Sequence, residues 1–270
     1  MKKALIFLMI AVLSLSLVAC GAGNKTDDKT LIVGATSVPH AEILEHIKPT
    51  LEKEGINLEI KVFQDYNLPN TTLSKGQLDA NYFQHKPYFE TNTKKNGITN
   101  LVSVGNIHVE PIGIYSKKVT SLDQVAAGSK IVIPNDPSNM GRSLVLLEKA
   151  GLIKLQQGKE VSAITVQDVV ENPKNFDIKP LDAAMLPRML DDKQVILAVI
   201  NTNYALEAKL DPAKSALFRE GKDSPYANML VVRKGDESKD KIQKLLKALQ
   251  SDDVKKFIDE KYKGAVIPAF

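Results

Sequence analysis

Apolar positions change their period several times along the chain, and each change predicts an element. "TLIVGAT", residues 30–36, is a short β-rich run. In the following "PHAEILEHIKPTLEKEG", Ile43, Leu44, Ile47 and Leu51 recur at helical spacing, with Pro39 near the first turn and Gly55 at the exit. "NLEIKVF" alternates as a strand, "LPNTTLSKGQ" predicts a short helix, and "DANYFQH" a third strand. Pro87 opens another helix, closed by Gly97. Residues 101–118, "LVSVGNIHVEPIGIYSKK", form a long β-like run broken at Pro111, which suits a strand passing from one lobe to another. A second unit follows: a short helix in "SLDQVAAGSK", a strand at 130–134, and the helix "PSNMGRSLVLLEKAG" with Asp136 as N-cap, Pro137 at the first position and Gly151 at the exit. "VQDVV", "KPLDAAMLPRML" and a strand at 194–201 complete this unit. "YANMLVVRKGD" reads as a return strand and residues 237–262 as one or two helices. The pattern predicts an α/β protein of two units, the second inserted in the first: residues 30–111 plus 229–270, and 112–228.

The opening "MKKALIFLMIAVLSLSLVAC" breaks this pattern. Lys2 and Lys3 precede an apolar run from Ala4 to Leu13 that continues, interrupted by two serines, to Val18. It reads as a secretory signal over 1–19, too short and wrongly flanked for a stable membrane span. Cys20 is the only cysteine, so no internal disulfide can form. Leu17-Val18-Ala19-Cys20 resembles the bacterial lipobox, whose cysteine is lipidated and becomes the mature N-terminus. Residues 20–29 then form a lipidated, flexible tether, and the expected location is extracytoplasmic, anchored by lipid to the bacterial cell membrane. Loss of Lys2 and Lys3 lowers the basic residues from 36 to 34 against 32 acidic ones, a mature charge of +2. The charges are interspersed, so no nucleic-acid surface is expected.

The motifs of catalysis are absent: no G-x-S-x-G, no G-x-G-x-x-G after the first strand, no P-loop. His40 and His46 are six apart, which is not the H-E-x-x-H zinc pattern. A metal reading has His40, His46, His85 and His108 to use, but zinc and manganese uptake lipoproteins join their lobes by a long rigid helix, and here the joining segment is β-rich with Pro111 and Gly113. No metal or other cofactor is therefore expected. "PNDPSNMGR" runs from a strand end into a helix start, where free N–H groups favour an anion. Asn139 and Arg142 share one helix face, and the Arg142 fork could hold a carboxylate in two hydrogen bonds; a solvated arginine is the bland alternative. Asn201 and Asn228 sit at strand ends, able to orient an ammonium and a carboxylate or simply to form turns. Finally, "DANYFQHKPYFE" is the densest aromatic cluster in a chain with 6% aromatic residues. Alternation puts Asn81, Phe83 and His85 on one face of it.

These stretches together resemble the NlpA-type lipoproteins, methionine-binding subunits of bacterial ABC importers. The resemblance is carried by "PHAEILE", "DYNLPNTTLSKGQLDANYFQHKPYF", "HVEPIGIYSKK", "IVIPNDPSNMGRSLVLLEKAGLI", "ENPKNFDIKPLDAAMLPRML", "AVINTNYA" and "SPYANMLVVR". It departs at Ala208-Lys209, where many relatives have Ala-Gly. The resemblance implies a two-lobed periplasmic-binding-protein fold of type II-like form, with ligand in the interlobe cleft. It implies that Arg142 holds the ligand carboxylate, that Asn201 and Asn228 lie near its amino and carboxylate groups, and that Tyr66, Phe83, His85, Tyr88 and His108 form an aromatic wall. The expected ligand is L-methionine or a close methionine compound, the expected partners an ABC permease with its ATPase, and the expected state a monomer. A glycyl-methionine-type dipeptide receptor, a metal-uptake receptor and a surface adhesin are the alternatives.

Overall fold

The computed structural model describes residues 29–221 and 224–270, and the chain from Leu31 onward forms one compact unit. The signal, lipobox and most of the tether lie outside the described residues. Among the described residues, no helix is long and apolar enough to cross a membrane.

Strand β1 (Thr30–Thr36) leads through a wide turn, Ser37–Ala41, into α1 (Glu42–Lys53). The helix therefore starts at Glu42 rather than near Pro39, because Val38 is extended and the turn carries His40 inward. Ile43, Leu44, Ile47 and Leu51 form its buried stripe, as their spacing requires. Next come β2 (Asn57–Phe63), α2 (Leu68–Ser74), β3 (Ala80–His85), α3 (Lys86–Lys95) and β4 (Leu101–Val109). The chain crosses at Glu110-Pro111-Ile112 to β5 (Gly113–Tyr115), then forms β6 (Lys130–Pro134), α4 (Pro137–Lys149), a small hairpin of β7 (Lys154–Leu155) and β8 (Val169–Glu171), β9 (Asp177–Leu181), α5 (Leu186–Met189) and β10 (Val195–Ile200). After α6 (Thr202–Glu207), α7 (Pro212–Ser215) and β11 (Phe218–Arg219) it returns as β12 (Ala227–Arg233). Helices α8 (Asp240–Leu249) and α9 (Asp252–Tyr262), separated at Ser251, and β13 (Ile267–Pro268) finish it.

Two sheets result, in the orders β13-β4-β12-β3-β1-β2 and β11-β5-β10-β6-β9. They are built alike. In the first, β12 runs antiparallel between β3 and β4, beside the parallel pair β1 and β3. In the second, β5 runs antiparallel between β10 and β11, beside parallel β6, β9 and β10. Each sheet thus takes its antiparallel member from the segment that has just crossed. Separate cores back them: Leu31, Val33, Ile43, Leu245 and Ile258 on the first, and Ile131, Ile133, Leu144, Leu147 and Val199 on the second. The crossings leave the strand ends of both sheets, and the polar N-termini of α3, α4 and α6, around one interior space.

Candidate functional site

That space is a narrow cavity lined from both sheets and the first crossing, with Tyr66, Phe83 and His85 on one side and Arg142, Asn201 and Asn203 on the other. Its polar geometry can be read outward from the start of α4. Asp136 caps the helix by accepting from the Asn139 N–H at 3.0 Å, so the anion position predicted at this N-terminus is filled by the chain's own carboxylate. The same carboxylate accepts both Asn139 Nδ2–H bonds, at 3.1 and 3.0 Å. Because a carboxylate can only accept, Asn139 must point Oδ1 away from it. That oxygen accepts from Asn201 Nδ2 at 2.9 Å and from His85 Nε2 at 3.1 Å. His85 is thereby protonated on Nε2, which frees Nδ1 to accept from the Tyr88 N–H at 3.2 Å and cap α3. Burial, aided by the nearby Arg142 charge, pushes His85 down to about 3, so the ring is neutral.

This chain of bonds fixes Asn201 with Oδ1 toward the cavity, and that buried oxygen has no protein partner. Asn203 is its counterpart: Oδ1 accepts from the Tyr66 hydroxyl at 2.5 Å, while Nδ2 is buried without a partner. An orphan acceptor and an orphan donor therefore line the same space, a condition that a buried site tolerates when a ligand completes it.

Arg142 is 3% exposed and is committed differently from the expectation. Its Nε donates to Glu220 Oε1 at 2.9 Å and its Nη2 to Glu220 Oε2 at 2.5 Å, with a further bond from Nη2 to the Glu110 carbonyl at 2.8 Å. The guanidinium also lies 4.0 Å from the Tyr226 ring centroid. The two-pronged edge expected to clamp a ligand is thus occupied by a carboxylate of the chain. Among the described residues, none accepts from Nη1.

Glu110, in the first crossing, lines the cavity too. Its Oε1 lies 2.7 Å from His108 Nε2 and 3.2 Å from His40 Nε2. The Tyr82 hydroxyl bonds His108 Nδ1, and the Thr36 hydroxyl bonds His40 Nδ1 at 2.7 Å. His108 therefore donates to Glu110 from Nε2, His40 donates from Nε2 to Asn228 Oδ1 at 3.2 Å beside Glu110, and a hydroxyl donates to each Nδ1. Burial holds His40 down to about 4 and His108 down to about 3. Burial raises Glu110 above the usual carboxylate range, against the opposing pull of His40 and Arg142. These three side chains could converge on a metal ion, their ligand atoms lying within 4.8 Å. Their separations and satisfied Nδ1 atoms are instead those of a hydrogen-bonded carboxylate. His46 is elsewhere, paired with Asp253 at 2.7 Å and stacked on Phe257.

The apolar end is a trio of rings. Tyr66 and Tyr88 are 5.5 Å apart, Phe83 and Tyr88 5.9 Å, and Tyr66 and Phe83 6.1 Å. The Tyr88 hydroxyl donates to the Tyr66 carbonyl at 2.8 Å and accepts from Asn92 Nδ2 at 3.1 Å, which fixes the Tyr88 ring, while the Tyr66 ring is held by its hydroxyl on Asn203.

Of the residues expected from sequence, Tyr66, Phe83, His85, Tyr88, Asn139, Arg142, Asn201 and Asn228 all line the cavity. His108 does not: at 0% exposure it stands behind Glu110 and orients it. Nor does Asn81 face the cleft. The register of β3 against β12 passes from Gln84 to Tyr82 and leaves Phe83 as the extra residue of a bulge, which resets the alternation. Gln84 and His85 reach the cavity instead, and Asn81 joins Asn70 and Gln84 in an amide cluster. Sequence reasoning missed Gln84, Glu110, Thr202 and Asn203. Glu110 had a usable signal, a lone carboxylate inside the apolar "IHVEPIGIY"; Asn203, two residues from Asn201 in "NTN", had a weaker one.

Two similarly built α/β sheets enclosing a cavity that ends in rings on one side and unpaired polar atoms on the other define a two-lobed substrate-binding protein. The chain belongs to the NlpA lipoprotein family, whose profile matches residues 31–270. It is 48% identical over 257 residues, 94% of this chain and 93% of the relative, to the D-methionine-binding lipoprotein MetQ of Escherichia coli O157:H7. It is 41% identical over 271 residues, 99% of each chain, to the methionine-binding lipoprotein MetQ of Bacillus subtilis strain 168. A nutrient binding protein from Burkholderia cenocepacia, solved bound to methionine, matches with a TM-score of 0.85 and 46% identity over 89% of this chain and 100% of that one.

Proposed function

We propose that this protein captures L-methionine, or a closely related methionine compound, outside the cytoplasm and delivers it as a monomer to an ABC permease and its ATPase. The observation that carries the reading is the pairing of unpartnered Asn201 Oδ1 and Asn203 Nδ2 with the Tyr66, Phe83 and Tyr88 rings in one cavity. A zwitterionic amino acid supplies both a donor and an acceptor to the polar end. An unbranched thioether suits the rings, since sulfur gains from aromatic contact at about 5 Å. Arg142 Nη1 takes the ligand carboxylate, Glu110 and Asn201 take the ammonium, and Asn139, Asn228 and His85 hold the frame. The names of the relatives, one for D-methionine and one for methionine, support a methionine ligand without choosing the enantiomer. Residues 30–111 plus 229–270 form one lobe and 112–228 the other, and their closure both desolvates the ligand and creates the surface that the permease recognises.

Isothermal titration with L-methionine, D-methionine, glycyl-methionine and alanine tests the ligand. Tight binding of one of the methionine compounds and much weaker binding of alanine is expected; silence toward all three methionine compounds removes the reading. Anchoring rests on Cys20, the only cysteine. The Cys20→Ala protein is expected in the soluble fraction with its ligand binding intact, and retention on membranes after a high-salt wash would refute lipid attachment there.

A further inference from the structure

Glu220 is absent from the wall of that cavity yet holds one edge of the Arg142 guanidinium. It lies in the second crossing, between β11 and β12, with 12% of its side chain exposed. Besides its two bonds to Arg142, its Oε2 accepts from the Ile112 N–H at 3.3 Å and from the Ser224 hydroxyl at 3.2 Å. Its own backbone N–H donates to the Ile112 carbonyl at 3.0 Å. Ile112 belongs to the first crossing and Ser224 to the second, so one carboxylate ties both crossings to the guanidinium of α4. Tyr226 covers a face of that guanidinium. The Nε–Nη2 edge is thereby turned to Glu220, and Nη1 is the corner left without an acceptor among the described residues on a side chain that lines the cavity.

We infer that Glu220 is a positioning residue, holding Arg142 in the one orientation that presents Nη1 to a ligand carboxylate and linking that orientation to the two interlobe crossings. The inference rests on the carboxylate-binding role proposed for Arg142. Glu220 touches no ligand. Its effect is selective because an arginine freed to rotate loses its directed bond to a carboxylate, while the rings and the ammonium end are untouched.

The test compares L-methionine with methioninol, which keeps the amine and thioether and lacks the carboxylate, by titration calorimetry on the full chain in detergent. Glu220→Gln keeps the shape but sets an amide donor against an arginine donor. It is expected to weaken methionine by roughly 10- to 100-fold and to leave methioninol within about 3-fold of its wild-type affinity. Glu220→Asp, whose shorter carboxylate cannot span Arg142 and Ile112 together, is expected to fall between, and it reads the same ratio if Glu220→Gln does not fold. Equal losses for both ligands, no loss, or a gain in methionine affinity would each overturn the inference, the last by making Glu220 a competitor for Arg142. A ligand-free arm separates this failure from that of the proposed function. The Arg142 Nε proton is expected to exchange slowly with solvent in the wild type and fast in Glu220→Gln, whatever the protein binds; fast exchange in the wild type would overturn the inference.

Discussion

Replacing Arg142 removes the partner of one carboxylate that is present, Glu220, and of a second that arrives with the proposed ligand. The two costs are separable. Breaking a buried pair by deleting one side costs stability, about 3–5 kcal/mol, because the remaining charge is stranded. Stranding the ligand carboxylate costs about 2–5 kcal/mol of binding, roughly 30-fold to several thousand-fold in affinity. Arg142→Ala is therefore expected to lower both the urea midpoint and the methionine affinity, with Arg142→Lys recovering part of each, since a point charge cannot serve two directions as the fork does. Near-normal methionine binding by Arg142→Ala would take the arginine out of ligand recognition. Phe83 divides differently. It makes no polar contact, so Phe83→Ala is expected to weaken methionine while changing the affinity for a small amino acid such as alanine far less. Equal losses for the two in a calorimetric series would show that this ring does not read the side chain.

The elements that place these side chains were legible where a local signal sufficed. Asp136, Pro137 and the apolar stripe of "PSNMGRSLVLLEKAG" fix α4 and set Asn139 and Arg142 on one face without tertiary help. The bulge at Phe83 was not legible, because it exists only in the register of β3 against β12, a strand far along the chain. The commitment of Arg142 to Glu220 was hidden for the same reason: the two are 78 residues apart. At the end of α6 the Ala208-Lys209 pair has a structural reading. Lys209 takes a left-handed conformation, φ 60°, just after the helix, and the Leu210 N–H closes the turn on the Ala205 carbonyl at 2.9 Å. A lysine pays a steric cost at a position that glycine occupies freely. Lys209→Gly is expected to stabilise the protein by a few tenths of a kcal/mol to about 1 kcal/mol in urea unfolding, with ligand affinity unchanged. A lower midpoint would mean that the added freedom of the unfolded chain outweighs the relieved strain.

Strand and helix alternation predicted two α/β units, but not that each would borrow its antiparallel strand from the crossing segment, since that choice is made by pairing between distant strands. The consequence is a cavity at the crossings with the buried groups His40, His85, His108 and Glu110 gathered around it, and these set how the whole fold responds to acid. In the folded chain the three imidazoles are held down to about 4, 3 and 3, whereas unfolded they titrate near 6.5. Above about pH 6.5 they are neutral in both states and their environment costs nothing in protonation. As pH falls below that value the unfolded chain takes up protons that the folded chain refuses, so stability drops by up to about 1.4 kcal/mol per pH unit for each imidazole. Glu110 acts in the opposite sense. Its raised folded pKa lets the native state bind a proton before the unfolded chain does, which returns part of the loss. One carboxyl against three imidazoles leaves the sign unchanged. Urea midpoints are expected to change little from about pH 7.5 to about pH 6.5 and then to fall with increasing slope down to about pH 4.5, more gently in a His85→Gln variant, whose amide can keep the bond to Asn139 without titrating. A midpoint constant from about pH 7 to about pH 5 would show that the folded protein binds those protons after all, and that the imidazoles are not held neutral by burial.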